Sequence, residues 1–244
     1  METNKITFRA NKIWLSDESN SSPSPIIKTI PDWYRKADRF AKNENTGEYY
    51  IGQDGGKVPT WKACPAIFDI MGTGYALKTP CDIEFYEKDG VLEYKMASPK
   101  YSFFIHKRAE MPQFEHPEGY RLDHFAWTSD WQVSLPDGYS ALYSTPFNRF
   151  ELPFLTTSGI IDNDKVNMPG SMPFFIRNGW TGIIPSGTPY AQVIPFKREN
   201  WISEIIEQND SIEIQKQTMQ NAAIYRKPDG GIYLKEVWER RKYE

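Results

Sequence analysis

The chain carries three histidines, His106, His116 and His124, all within 19 residues and with Glu115 beside the second. Histidine is the commonest metal ligand, and three imidazoles brought together by strands would suit Zn or Fe. Their spacing matches no metal motif, so rim and structural roles are the expectation and no metal site is assigned. A second set lies downstream: Ser144 in LYSTP, Asp162 in SGIIDND and Gln192 in GTPYAQVI, at successive spacings of 18 and 30 residues. For Asp162, residue type alone favours an Asx turn or a buried carboxylate closing a β corner over a catalytic role.

These residues belong to the stretch from Leu135 to Phe196, in which short apolar runs are broken by Pro, Gly and Asn. That rhythm predicts a compact antiparallel β barrel or sandwich and leaves no room for a helix of ordinary length. Pro136-Asp137-Gly138 and Pro185-Ser186-Gly187 predict tight corners, with proline presetting the first central position. Asn178-Gly179, between Phe174-Phe175-Ile176 and Trp180-Thr181-Gly182-Ile183-Ile184, predicts a hairpin, and so does Lys88-Asp89-Gly90 between two apolar runs.

Gly159-Ile160-Ile161-Asp162 and Gly187-Thr188-Pro189-Tyr190-Ala191-Gln192, preceded by a serine-bearing turn at Ser144, resemble the trimeric dUTPase and dCTP deaminase superfamily in order and spacing. The resemblance implies a β-clip core in which Asp162 activates a water while Ser144 and Gln192 contact phosphates. It also implies Mg²⁺ and a site built between subunits around a threefold axis. The pattern is depleted here. Lys165 stands where an aromatic lies against the deoxyribose, Tyr143 where an arginine precedes the serine, and Pro189 where an arginine or polar residue is usual. Arg149 or Lys165 would have to supply the missing cations. By general pattern ("GYS", "NR", "DND", "GTPxAQ") the chain also resembles a phage and bacterial family that implies no activity.

Composition narrows the classes. With 39% apolar and 15% aromatic residues, the 244-residue chain suits packed β structure without disulfides. A net charge of −3 spread over both signs leaves no footprint for nucleic acid or anionic membrane. Cys64 and Cys81 lack CxxC spacing, the opening METNKITFRA has no apolar leader, and no apolar run reaches membrane length. The expectation is a cytoplasmic or virion protein with free thiols. No GxxxxGK[ST], HExxH, GxSxG or GxGxxG occurs.

Taken in order, residues 1–60 are expected to give an N-terminal strand over Ile6–Leu15, a Ser-rich linker, a short helix from Ile30 to about Phe40 and a loop over 41–60. Residues 61–198 form the expected core, with a helix ending at Gly72, strands over Ile83–Tyr86 and Tyr101–Ile105, and a strand over Phe125–Val133. Trp127 and Trp131 share one face of that last strand, as core or interface residues or as a stacking platform for a base or sugar. Residues 199–244 read as a helical extension in which Trp201, Ile202, Ile205 and Ile206 open an amphipathic pattern, followed by a terminal arm. The functional expectation is a structural or interaction protein, a phage virion or assembly component that self-associates, a trimer being the form implied, and contacts other assembly proteins without a cofactor. The alternative is a Mg-dependent nucleotide hydrolase or deaminase-like enzyme with Asp162, Ser144, Gln192, Arg149 and Lys165 in its site.

Overall fold

The computed structural model describes residues 4–15, 21–53, 55–108, 115–167, 170–205, 207, 213–217, 219–220 and 238–244. Strands dominate: β1 (Thr7–Arg9), β2 (Ser24–Pro25), β3 (Tyr75–Lys78), β4 (Ile83–Lys88), β5 (Val91–Met96), β6 (Ile105–Lys107) and β7 (Tyr120–Thr128) come first. They are followed by β8 (Gln132–Ser134), β9 (Tyr139–Ser144), β10 (Phe154–Thr156), β11 (Gly159–Ile161), β12 (Ser171–Arg177), β13 (Gly182–Ile184) and β14 (Pro189–Lys197). The protein is mainly β, and its antiparallel sheets run β11-β9-β14-β3-β2, β10-β12-β7-β6, β13-β4-β5 and β1-β8. Among the described residues none of the sheets closes into the barrel that the sequence leaves open beside a sandwich.

Two Asx-Gly dipeptides show how far local chemistry reaches. Asp89 and Gly90 both take positive φ (52° and 77°), and Lys88 pairs with Val91, so β4 and β5 form the expected hairpin. Such a turn matches the right-handed twist of its strands, and glycine adopts it without steric penalty. Asn178-Gly179 also turns the chain, with the Trp180 amide donating to the Arg177 carbonyl at 3.1 Å. The hairpin expected there does not form, because β12 pairs with β7 and β10 while β13 pairs with β4 in another sheet. Trp180 packs beside Phe85 of β4, at 6.2 Å between ring centroids, and carries the chain across.

Other expectations are redrawn by packing. The N-terminal strand stops at Arg9, and Asn11 Oδ1 then accepts from the Ile13 and Trp14 amides in a local turn. Within the Ser-rich segment, Ser24–Pro25 pairs with β3 rather than forming loop. Residues 99–101 form a 3-10 turn, so the strand expected over Tyr101–Ile105 begins only at Ile105. Phe125–Val133 is broken at residues 129–131 between β7 and β8, so Trp131 lies in the break and off the strand that carries Trp127; both are buried. Both Pro-x-Gly corners close, with the proline carbonyl as acceptor and proline one position earlier than expected.

Packing groups residues 1–29, 74–198 and 243–244 as one unit and 30–73 with 199–242 as another. The first unit holds a single aromatic core. Trp127 lies stacked on Phe174 at 3.6 Å between centroids, with Phe154 and Tyr190 at its edges. Trp127 Nε1 donates to Thr156 Oγ1 at 3.0 Å, and Thr156 Oγ1 donates to the Tyr190 carbonyl at 2.7 Å, tying β7, β10 and β14 together inside the core. β6 and β5 share no backbone ladder, yet side chains link them: Tyr94 Oη donates to the Ile105 carbonyl at 2.7 Å and Lys107 Nζ to the Leu92 carbonyl at 3.3 Å. Gly74 permits the closest backbone approach, since a Cβ there would stand 2.2 Å from the Val193 carbonyl oxygen.

In the second unit, α1 (Asp32–Lys36) is shorter than expected, because Ala37 turns to ψ 139° and leaves the helix. α2 (Pro65–Gly72) ends at the expected glycine. Between them, segments 40–42, 49–51 and 57–59 are knotted by three backbone bonds: Tyr50 to Ala41, Ala41 to Val58 and Val58 to Tyr50, each amide donating to the next carbonyl at 2.9–3.0 Å. Residues 213–217 and 219–220 are helical, but 199–205 have no regular structure, so Trp201, Ile202 and Ile205 fall outside the helix expected to contain them. Residues 221–237, which hold the end of the expected helical stretch and all but Trp238 of the arm expected over 232–238, lie outside the described residues. Trp238 Nε1 donates to Asp69 Oδ2 at 2.9 Å.

Candidate functional site

Asp162 follows β11 directly, at a corner where the sequence DND turns back under Lys165 and Val166, whose amides donate to the Asp162 carbonyl. Its Oδ1 accepts from Ser140 Oγ at 2.6 Å and lies 3.3 Å from Arg198 Nη1. Arg198, at the end of β14, reaches further to Asp164: Nη1 donates to Oδ1 at 2.9 Å, and Nη2 is paired with Oδ2. The Gly138 amide donates to the same Oδ2 at 2.9 Å. These bonds to Arg198, reinforced by the Gly138 amide, hold the Asp164 carboxyl well below the usual carboxylate range. Charge-assisted, forked contacts of this kind are short and directional.

Asn163, fully buried between the two aspartates, completes the corner. Its Oδ1 accepts from the Tyr143 hydroxyl at 3.0 Å, and its Nδ2 donates to the Val133 and Val166 carbonyls. Burial pushes the Tyr143 phenol above its usual range. The whole DND turn therefore fastens β8, β9, β11 and β14 at one end of the five-stranded sheet.

Ser144 and Gln192 meet directly, because they are Cα partners across β9 and β14. Both side chains are buried. Ser144 Oγ donates to the Thr145 carbonyl at 2.9 Å, and Gln192 Oε1 accepts from the Phe147 amide at 3.0 Å, so these polar atoms bind the turn that follows β9. Ile161 faces Ala141, which sets Asp162 level with Ser140. At about 3.3 Å per residue, Ser144 then lies about 13 Å further along β9. Within one chain, Ser144 and Gln192 form one cluster and Asp162 another.

The cationic candidates are distributed differently again. Arg149 is paired with Glu151 through Nε and donates from Nη1 to the Thr29 carbonyl at 2.9 Å. Lys165 is exposed on the DND turn. Arg177 Nη2 donates to the Phe150 and Leu152 carbonyls. No family model matches this chain, and no curated protein matches it either.

His106 and His124 lie on one face of the β6-β7 ladder, since His106 is paired with Ala126, two residues from His124. His106 Nδ1 is 3.0 Å from Thr128 Oγ1, and His124 packs against Phe175. Desolvation first, and the charge of Arg108 second, push the His124 imidazole below its ordinary value. Among the described residues, no three His, Cys, Asp or Glu side chains are grouped as a metal site.

Arg198, Asp164 and Ser140 are the residues that motif spacing overlooks. The doubled acid in DND was visible, as was an arginine at the end of the GTPYAQ strand. That the two meet follows only from the β9-β14 register, which brings Lys197 opposite Tyr139.

Proposed function

We propose that this chain is a structural, self-associating protein, a phage virion or assembly component built on a non-catalytic β core of the dUTPase kind. One observation carries the reading: Ser144 and Gln192, the pair that the resemblance assigns to phosphates, are buried, with Ser144 Oγ on the Thr145 carbonyl and Gln192 Oε1 on the Phe147 amide. Arg149 is likewise paired with Glu151 and the Thr29 carbonyl. Donors preorganised toward a developing charge are usually the largest catalytic contribution, and losing each costs about 2.7–4 kcal/mol of barrier. A core that turns such donors inward suits a scaffold.

The hydrolase reading has one point in its favour. The Asp162 side chain is 44% exposed, and only its Oδ1 is engaged among the described residues. Incubation of the purified protein with dUTP, dCTP or dTTP and Mg²⁺ separates the two. The expected result is no turnover and no change in melting temperature with a nonhydrolysable analogue. Turnover that disappears in Asp162→Asn, with the fold intact by circular dichroism, would establish the enzyme instead.

A further inference from the structure

The turn that leaves β12 carries chemistry that neither the fold nor the proposed scaffold role uses. Asn178 is the only asparagine in the chain followed by glycine. Arg177, Asn178 and Gly179 are all exposed. The corner is fastened on both sides of Gly179: the Asn178 amide donates to the Gly119 carbonyl at 2.9 Å, and the Trp180 amide to the Arg177 carbonyl at 3.1 Å. Between those two bonds, the Gly179 amide and the Asn178 carboxamide have no hydrogen-bond partner among the described residues. Gly179, at φ 69°, carries no Cβ to shield its nitrogen.

Several other asparagines are held by their bonds. Asn11 Oδ1 accepts from the Ile13 and Trp14 amides, Asn43 Oδ1 from the Asn45 and Thr46 amides, and buried Asn163 uses both ends of its carboxamide. Each of the three is followed by a residue with a side chain, which crowds the next amide nitrogen.

We propose that Asn178 is a site of spontaneous covalent modification, at which deamidation loosens the crossing from β12 to β13. The Gly179 nitrogen, after giving its proton to hydroxide, forms a bond to Asn178 Cγ. The Cγ–Nδ2 bond breaks, and Nδ2 takes a proton from water and leaves as ammonia, which regenerates the hydroxide and closes a succinimide. Water then adds at either imide carbonyl. Opening at Cγ gives aspartate on the ordinary backbone. Opening at the main-chain carbonyl carbon gives isoaspartate, whose backbone runs through Cβ and Cγ. Water is the only co-reactant, and nothing is oxidised or reduced.

The added backbone carbon falls where the chain has little slack. Only Trp180 and Thr181 separate the turn from β13. Trp180 packs beside Phe85 and lies over Gly182, where a Cβ would meet the indole at 3.4 Å. Isoaspartate therefore displaces Trp180 from its packing site, whereas aspartate adds only a charge at an exposed position.

Ageing of the purified full chain at mildly alkaline pH, followed by peptide mapping in a mass spectrometer and enzymatic labelling of isoaspartate, tests the site. Asn178 is expected to convert at least about tenfold faster than any other asparagine, a barrier lower by about 1.4 kcal/mol. Aged wild type should melt several degrees below fresh protein, because lost packing in a domain appears directly in the melting temperature. Asn178→Asp, which carries the charge on an ordinary backbone, and aged Asn178→Gln should both melt like fresh wild type. Conversion at Asn178 no faster than elsewhere would overturn the site. An unchanged melting temperature after conversion, or an equal fall in Asn178→Asp or in aged Asn178→Gln, would overturn the loosened crossing.

Discussion

Arg198 grips Asp164 with both guanidinium nitrogens, and the same Nη1 lies 3.3 Å from Oδ1 of Asp162. One cation thus closes the end of β14 onto two acids of the turn that follows β11. The arrangement makes the DND corner a fastening and gives it a pH signature.

The Asp164 carboxyl is depressed well below its unfolded value of about 3.9, so its contribution to stability is fully present above that value. As pH falls below about 4 the unfolded chain takes up the proton first, and stability declines until the folded carboxyl is itself protonated. Melting curves between neutral pH and strong acid should show this decline in the wild type and a flatter profile in Asp164→Asn. Arg198→Ala should lower the neutral-pH melting temperature by several degrees, because it strands the carboxylate. Equal acid sensitivity in wild type and Asp164→Asn would exclude this role.

Trp127 has no exposed surface and joins ring stacking to a buried hydrogen bond through Thr156. Replacing it by alanine should cost about 3–5 kcal/mol, the range for large aromatic truncations in a core. Thr156→Val keeps the volume but leaves Trp127 Nε1 and the Tyr190 carbonyl without their shared partner, at a cost of about 1–3 kcal/mol. Urea unfolding measures both; a Thr156→Val variant as stable as wild type would show that the hydroxyl is dispensable.

His124 is held neutral by desolvation and by Arg108, against the opposing charge of Asp123. Its folded pKa lies below the unfolded value of about 6.5, so stability should fall as pH drops through 6.5 and level off below the folded pKa. An NMR titration of the ring protons should find His124 titrating at lower pH than that ordinary value, and His124→Asn should flatten the stability profile. Metal analysis of chelator-free protein is expected to find no tightly held Zn or Fe; one ion per chain, lost in His106→Ala, would reverse that expectation.

What the sequence determined by itself was chemistry acting over a few residues. Breakers at short intervals forced a mainly β chain, Asp89-Gly90 forced a hairpin through two positive φ values, and Gly72 closed α2 where a glycine was expected to end it. The order of Ser144, Asp162 and Gln192 marked a sheet whose register does pair Ser144 with Gln192. Tertiary structure decided everything that required choosing a distant partner. Asn178-Gly179 carries the same local turn signal as Asp89-Gly90, yet β13 goes to β4, because Trp180 finds a packing site beside Phe85 that no count along the chain reveals. Likewise, a lone arginine after β14 and two acids after β11 are ordinary surface residues in sequence. They become a clamp only because antiparallel pairing with β9 brings the C-terminal ends of β11 and β14 to the same end of the sheet. Local backbone preferences are intrinsic to residue type, whereas strand pairing and burial are set by competition among many apolar surfaces for one core.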